Sequence, residues 1–298
     1  MKPHPQLWLL VAGTVAPIAV FAVVAALLLV RHERQSLERD AIGRARAAMT
    51  AVDAHLRGSI VSLETLAASK SLEAGDIAAF HEESQRVLRT QPGWMNIGLA
   101  SAAKVQLSDA VYVFGKPAQF SAGDESFEAV LRGAKAAIGG VMAGSAVRSP
   151  TARVRVPVIH GGEVRYVVSA PLNPKHFADL LQAQRLPEDW VIGLVDREKR
   201  MMARIPAVPP GTPASDSFRE AIEREPEGWF YGRTMEGRAT YTSYVTSQLS
   251  GWVLGIAIPA ATVESEARRI FAILGAGALC ACAAAALLAW LIAGRISR

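Results

Sequence analysis

A chain of 298 residues has room for one large domain or two modest ones, and its apolar fraction of 51% stands at the top of the soluble range. The formal charge of +5 does not mark a nucleic-acid binder, because the cations are spread along the chain; Arg268, Arg269, Arg295 and Arg298 flank an apolar run where they suit lipid headgroups. Cys280 and Cys282 lie inside that run, so the remainder has no thiol to lose in an oxidising compartment.

Leu7 to Val30 carries no charge, and neither does Ile270 to Gly294. Each run exceeds the roughly 20 residues that a helix needs to cross about 30 Å of hydrocarbon, so both are expected to span a membrane. A cleaved signal peptide is the alternative for the first. Its apolar core is longer than the about 7–15 residues of such a segment, and no small-x-small cleavage site follows. The intervening stretch then lies on one side of the membrane and both termini on the other. Lys2 before the span against Arg31 and Arg34 after it weakly favours a cytoplasmic loop, whereas the cysteine distribution favours an outward one.

From Ser36 to about Ser69, Leu37, Ala41, Ala45, Ala48, Val52, Leu56, Ser59 or Ile60, Leu63 and Ala67 recur at helical spacing. This is roughly 50 Å of helix at about 1.5 Å per residue. Its small-residue stripe suits either a copy of itself in a homodimer or the chain's own domain. A second helix is expected from Asp76 to Thr90, ended by QPG, and then strands in WMNIGLAS and KVQLSDAVYV. A helix follows from about Asp124 to Ile138, stopped by Gly139 and Gly140. TARVRVPVI and EVRYVVSAPL flank HGGE, a strong hairpin signal. After the helix PKHFADLLQAQ the arrangement repeats: WVIGLVD, REKRMMARI, a Pro-rich loop over 206–213, the helix SFREAIERE, GWFYGRT, GRATYTSYVT and GWVLGIAIP. A last helix, from about Ala260, runs into the second apolar run. The fold class is α+β, with two successive antiparallel sheets behind one long helix.

Pairing His160 with Glu163 across the turn sends Val154, Val156, Val158, Val167 and Ser169 to one face, and Arg153, Arg155, Pro157, Tyr166, Val168 and Ala170 to the other. The second face suits a small carboxylate held by forked Arg contacts, with Trp94 and Tyr112 closing the pocket. The competing reading is a solvated face whose arginines pair with Asp109 or Glu163, the two aromatics being core. In the second round, Asp196 and Arg204 flank the first turn, where an exposed ion pair or a turn cap is expected. Trp190, Trp229, Tyr241, Tyr244 and Trp252 supply its core, and no ligand is expected there.

No His-Glu-x-x-His, Gly-x-Ser-x-Gly or Gly-Lys-Ser/Thr pattern occurs, and the six histidines are scattered. No catalytic residue, metal site or cofactor is expected. GAGA at 275–278 lies within an apolar run, where small residues serve helix packing.

Taken together, the apolar helix, the long helix, QPGW before a strand, VRVPVIHGGEVRYVVSAPL, LPEDWVIGLVDREKRMMARIP, GWFYGRTMEGRATYTSY, SGWVLGIAIP and the second apolar helix resemble the double Cache (PAS-like) extracytoplasmic sensor region of bacterial sensor histidine kinases. The resemblance implies a tail and span at 1–30 and a juxtamembrane helix at 31–70. It further implies a membrane-distal PAS-like module at 71–175, a proximal one at 176–262, and at 263–298 a second span entering a HAMP-like linker. The tyrosine, arginine, tryptophan and aspartate pattern of amino-acid-binding Cache domains cannot be laid onto 90–175, and Glu198-Lys199 stands where the family often has Asp-Gly. The implied function is the input half of a receptor without its output module: a homodimer in the inner membrane with its centre in the periplasm, binding a small molecule, a carboxylate being the candidate class. The alternative is a complete, membrane-tethered periplasmic binding or partner-interaction protein.

Overall fold

The computed structural model describes residues 5–115, 124–142 and 150–296; the side chains of 5–19, 266, 267, 282, 285, 286 and 288–296 lie outside that description. The chain divides into two units, residues 41–258 and the flanking segments up to 40 and from 259. The flanking segments are the ends of helices α1 (Pro5–Ala67) and α7 (Ala260–Ile296). Phe21, Leu28, Ile273 and Leu279 are exposed on them. Both expected spans lie in these helices, but the side chains of 7–19, 282, 285, 286 and 288–294 within them fall outside the description, as do those of the HAMP-like stretch after them. Among the described residues, no helix is long and apolar enough to cross a membrane.

In the central unit the upper part of α1 is buried along Ala45, Ala48, Val52, Leu56 and Leu63, one face of a helix with about 3.6 residues per turn. That stripe packs on the chain's own sheets, so it is not open to a second copy. After α2 (Lys70–Ala74), Gly75 takes the left-handed conformation at the helix end. Asp76 then accepts a hydrogen bond from the Ala79 N–H at 2.9 Å and starts α3 (Ile77–Leu88).

The first sheet comprises β1 (Gly98–Ser101), β2 (Gln106–Asp109), β3 (Ala137–Ile138), β4 (Arg153–His160) and β5 (Glu163–Pro171), in the order β2-β1-β5-β4-β3. The helix expected to reach Ile138 is shorter. α4 (Glu125–Gly133) stops where Ala134 turns left-handed at φ 45°, which frees Ala137 and Ile138 to pair with Arg155 and Val154. Past α5 (Pro174–Gln182), β6 (Val191–Val195), β7 (Met201–Ile205), β8 (Glu227–Arg233), β9 (Ala239–Thr246) and β10 (Val253–Pro259) form the second sheet. Its order, β7-β6-β10-β9-β8, repeats the first, with α6 (Asp216–Ala221) inserted before β8.

The register of the β4–β5 hairpin corrects the expected division of its faces. His160 does pair with Glu163 and Ile159 with Val164, but Val158 then pairs with Tyr166. Arg165 is the extra residue of a β-bulge, and a one-residue slip moves every later side chain to the opposite face. Val154, Val156, Val158, Tyr166, Val168 and Ala170 therefore share one face, and Arg153, Arg155, Pro157, Val167, Ser169 and Pro171 share the other.

The valine face of the first sheet and Ile192, Leu194, Leu254 and Ile256 of the second join one core with α1. Burying each such side chain contributes about 1.5–3 kcal/mol. On the opposite faces, Phe127 and Val130 of α4 pack on Ala100 and Val167, while Ala221 of α6 packs with Val195, Met201, Tyr244 and Val253. Of the aromatics expected in the second module's core, Trp252 and Tyr244 are buried, and Trp229 stacks on Tyr241 at 5.6 Å. Trp252 instead meets Phe177 of α5 in the shared core, 5.7 Å between ring centroids.

Candidate ligand-binding site

The α4 face of the first sheet carries a buried charge cluster. Arg155 is 2% exposed and Arg153 9%, so neither lies on a solvated face. Their partner is neither Asp109 nor Glu163 but Asp124. The Arg155 guanidinium donates to the Asp124 carboxylate, to the Ser126 hydroxyl at 3.0 Å and to the Ser169 hydroxyl at 2.8 Å. It also lies over the Phe127 ring at 5.3 Å. Arg153 reaches the same carboxylate at only 3.6 Å, beyond hydrogen-bond range.

Asp124 sits where local sequence puts it. As N-cap of α4 it accepts from the Phe127 N–H at 2.9 Å and the Ser126 hydroxyl at 2.6 Å. Burial pushes its carboxyl up, but Arg155, Ser126 and the Phe127 N–H outweigh that and hold it below the usual range. Burial, followed by repulsion from Arg155, lowers Arg153, which Asp124 only partly offsets. Two guanidinium groups share one carboxylate, which leaves a surplus positive charge on a largely water-excluded face.

The pairings Asp109–Gly98, Gly98–Ser169, Ser169–Arg155 and Arg155–Ala137 place these residues in one row across this face. Asp109 and Arg155 are three strand spacings apart, roughly 14 Å between backbones. Asp109 is buried; its carboxylate accepts from the Asn96 amide at 2.7 Å and the Val111 N–H at 3.3 Å, and no cation forms an ion pair with it among the described residues. Burial raises its pKa, against Asn96, the Val111 N–H and His81.

Of the residues expected to line the pocket, only Arg153 and Arg155 are brought together. Tyr166 points to the opposite face, and Arg165 stands over its ring at 5.2 Å. Trp94 is core: its indole N–H donates to the Ser59 hydroxyl on α1 at 2.9 Å. Tyr112 lines a small cleft at the Asp109 end with Gln106, Val113 and Phe114. Asp124 and Ser126 were not singled out from sequence as site residues, Ser169 was assigned to the opposite face, and Asp109 was named only as a partner for the arginines. The start of α4 at Asp124 was legible, but its tertiary partners were not.

In the second sheet, Asp196 is fully buried and caps its turn by accepting from the Arg200 N–H at 2.8 Å, as one of the two expected roles had it. It also accepts from Val141 N–H of the first module at 2.5 Å, and Glu198 beside it is raised by burial and by Asp196. Arg204 does not pair with Asp196. It is buried at 3% exposure against Glu236. Among the described residues no group of three or more His, Cys, Asp or Glu side chains could hold a metal ion.

No protein-family model matches the chain, and no curated protein matches its sequence. Solved structures do match in fold. The extracellular domain of rpHK1S-Z16, assigned as a histidine kinase, is similar at 17% identity and TM-score 0.60, over 82% of this chain and 99% of that one. The ligand-binding domain of the Pseudomonas fluorescens chemoreceptor CtaA, solved with L-isoleucine, gives 13% and 0.61 over 79% and 98%. The periplasmic sensory domain of the Campylobacter jejuni chemoreceptor Tlp1 gives 14% and 0.58 over 78% and 98%. The double Cache resemblance read from the sequence therefore holds for the fold: two PAS-like sheets behind one long helix, as in the extracytoplasmic sensor domains of chemoreceptors and histidine kinases.

Proposed function

We propose that the chain is the sensing part of a membrane receptor and that its first module binds a small carboxylate, with an amino acid the best-fitting class. The observation that carries this is the surplus guanidinium charge at Arg153 and Arg155, buried against one carboxylate on the α4 face. A ligand carboxylate at Arg153 would complete the charge balance with directed bonds. Asp109, roughly 14 Å from Arg155 between backbones, suits an ammonium group only on a ligand long enough to set that charge well apart from its carboxylate. CtaA was solved with an amino acid, which supports the class.

The apolar exposed residues of α1 and α7 support anchoring in a membrane, with the central unit outside the cytoplasm as in the periplasmic Tlp1 domain. The expected homodimer would have to use a face of α1 other than the buried alanine stripe. Ligand binding shifts the receptor only by its difference in affinity between two arrangements of the module, and α1 is the element that both sheets share. The histidine-kinase output stays part of the proposal, supported by rpHK1S-Z16.

The test is a thermal-shift screen of the full chain in detergent against amino acids, small carboxylates, amines and sugars. A ligand that binds only the folded form raises Tm. The proposal expects a carboxylate hit whose shift disappears in Arg153→Ala. A shift that survives in the Arg153→Ala, Arg155→Ala double variant contradicts the site.

A further inference from the structure

The second module contains an open cleft of about 50 Å³, room for a few water-sized molecules, on the face away from α1. Its floor is the row Arg204, Gly193 and Gly255, where two neighbouring strands lack side chains. Met201, Phe218 and Phe230 supply apolar walls. Arg204 donates to the Pro206 carbonyl at 2.9 Å and to Glu236 at 2.8 Å, two acceptors for a group with five N–H donors. Glu236 is carried on the turn between β8 and β9, where Thr234 and Arg238 are hydrogen-bonded, and its side chain is 46% exposed. Arg233 also borders the cleft and donates to the Gly237 carbonyl at 2.9 Å, so a second cation stands near its mouth.

We infer that this cleft is a second ligand site, taking a small monocarboxylate with a short branched or straight apolar tail. The ligand's carboxylate replaces Glu236 on Arg204, and its tail fills the space above Gly193. Glu236 is thereby a built-in competitor, and its displacement frees the β8–β9 turn. This site is separate from the Arg153–Arg155 cluster and does not depend on it.

Isothermal titration of the full chain in detergent tests the inference, with 3-methylbutanoate as probe, its neutral amide as control, and the acids from propionate to hexanoate alongside. At Gly193 a Cβ would meet the Met201 sulfur at 3.6 Å, ordinary contact, so a side chain can start there and Gly193→Val takes up cleft volume, its fold checked by an unchanged Tm. The expected results are saturable heat with the acid and none with the amide, loss of that heat in Gly193→Val, and tighter binding, by about tenfold, in Glu236→Gln. Arg153→Ala leaves the heat in place. No heat from any acid in either wild type or Glu236→Gln overturns the inference. So does heat that survives Gly193→Val; if it also disappears in Arg153→Ala, the acid sits in the first module.

Discussion

Asp124→Asn separates the charge of the buried cluster from its shape. Asparagine can still accept from the Phe127 N–H and stay near Ser126, so the α4 cap survives, while Arg155 and Arg153 lose their shared carboxylate. Removing one partner of a buried ion pair costs about 3–5 kcal/mol, because the remaining charge is left uncompensated. In a unit of this size each kcal/mol moves Tm by about 2–4 °C, so the midpoint should fall by about 6–20 °C. Asp124→Ala also removes the cap and should cost about 1 kcal/mol more. The assay is thermal unfolding of the full chain followed by tryptophan fluorescence, with and without glutamate or chloride as anions. Added carboxylate should restore more stability to Asp124→Asn than to wild type, since the surplus positive charge has doubled. A fall below about 1 kcal/mol, with no extra rescue, would show that the arginines are solvated in solution and refute the reasoning.

His55 is held down to about 4, first by burial and then by His176, whose ring lies 4.3 Å away. The unfolded chain takes up that proton near pH 6.5 and the native one does not. Stability is therefore complete above about pH 6.5 and declines as pH falls toward 4, by about 1–2 kcal/mol once partial exposure is discounted. Urea midpoints at pH 7 and pH 5 should show this slope in wild type and not in His55→Phe. Asp196→Ala strands the Val141 and Arg200 N–H groups and should cost about 2–6 kcal/mol in urea unfolding. Gly140→Ala, whose Cβ would press on the Glu198 carboxylate and, at 3.0 Å, on Asp196 Oδ2, should strain the same bonds without removing them and so cost less. Trp94→Phe, which leaves the Ser59 hydroxyl unpaired, should lower stability by about 1–2 kcal/mol in the same assay.

The hairpin shows both what the sequence disclosed and where it stopped. Gly161 and Gly162 have positive φ and announced the turn, and the alternating valines announced the strands. The bulge at Arg165 carries no residue signature, yet it moves Tyr166 away from the arginines, because every side chain beyond a slipped residue changes face. Arg153 and Arg155 were legible as a pair of cations on one side of a strand. Their burial depends on Asp124, 31 residues before Arg155, a contact that no local periodicity encodes. The alanine stripe of α1 fitted two partners equally from sequence. The two sheets decide for the chain itself by presenting their valine and leucine faces to it. Arg204 read as a turn neighbour of Asp196, but Glu236 on a distant hairpin is its partner.

The central claim, that the α4 face of the first module reads a small carboxylate, is tested most directly by hydrogen exchange. The full chain is followed by mass spectrometry with and without the amino acid that gives the largest thermal shift. The account expects slowed exchange in peptides covering 124–133 and 153–171. Unchanged exchange there, with protection confined to 191–257, would contradict it.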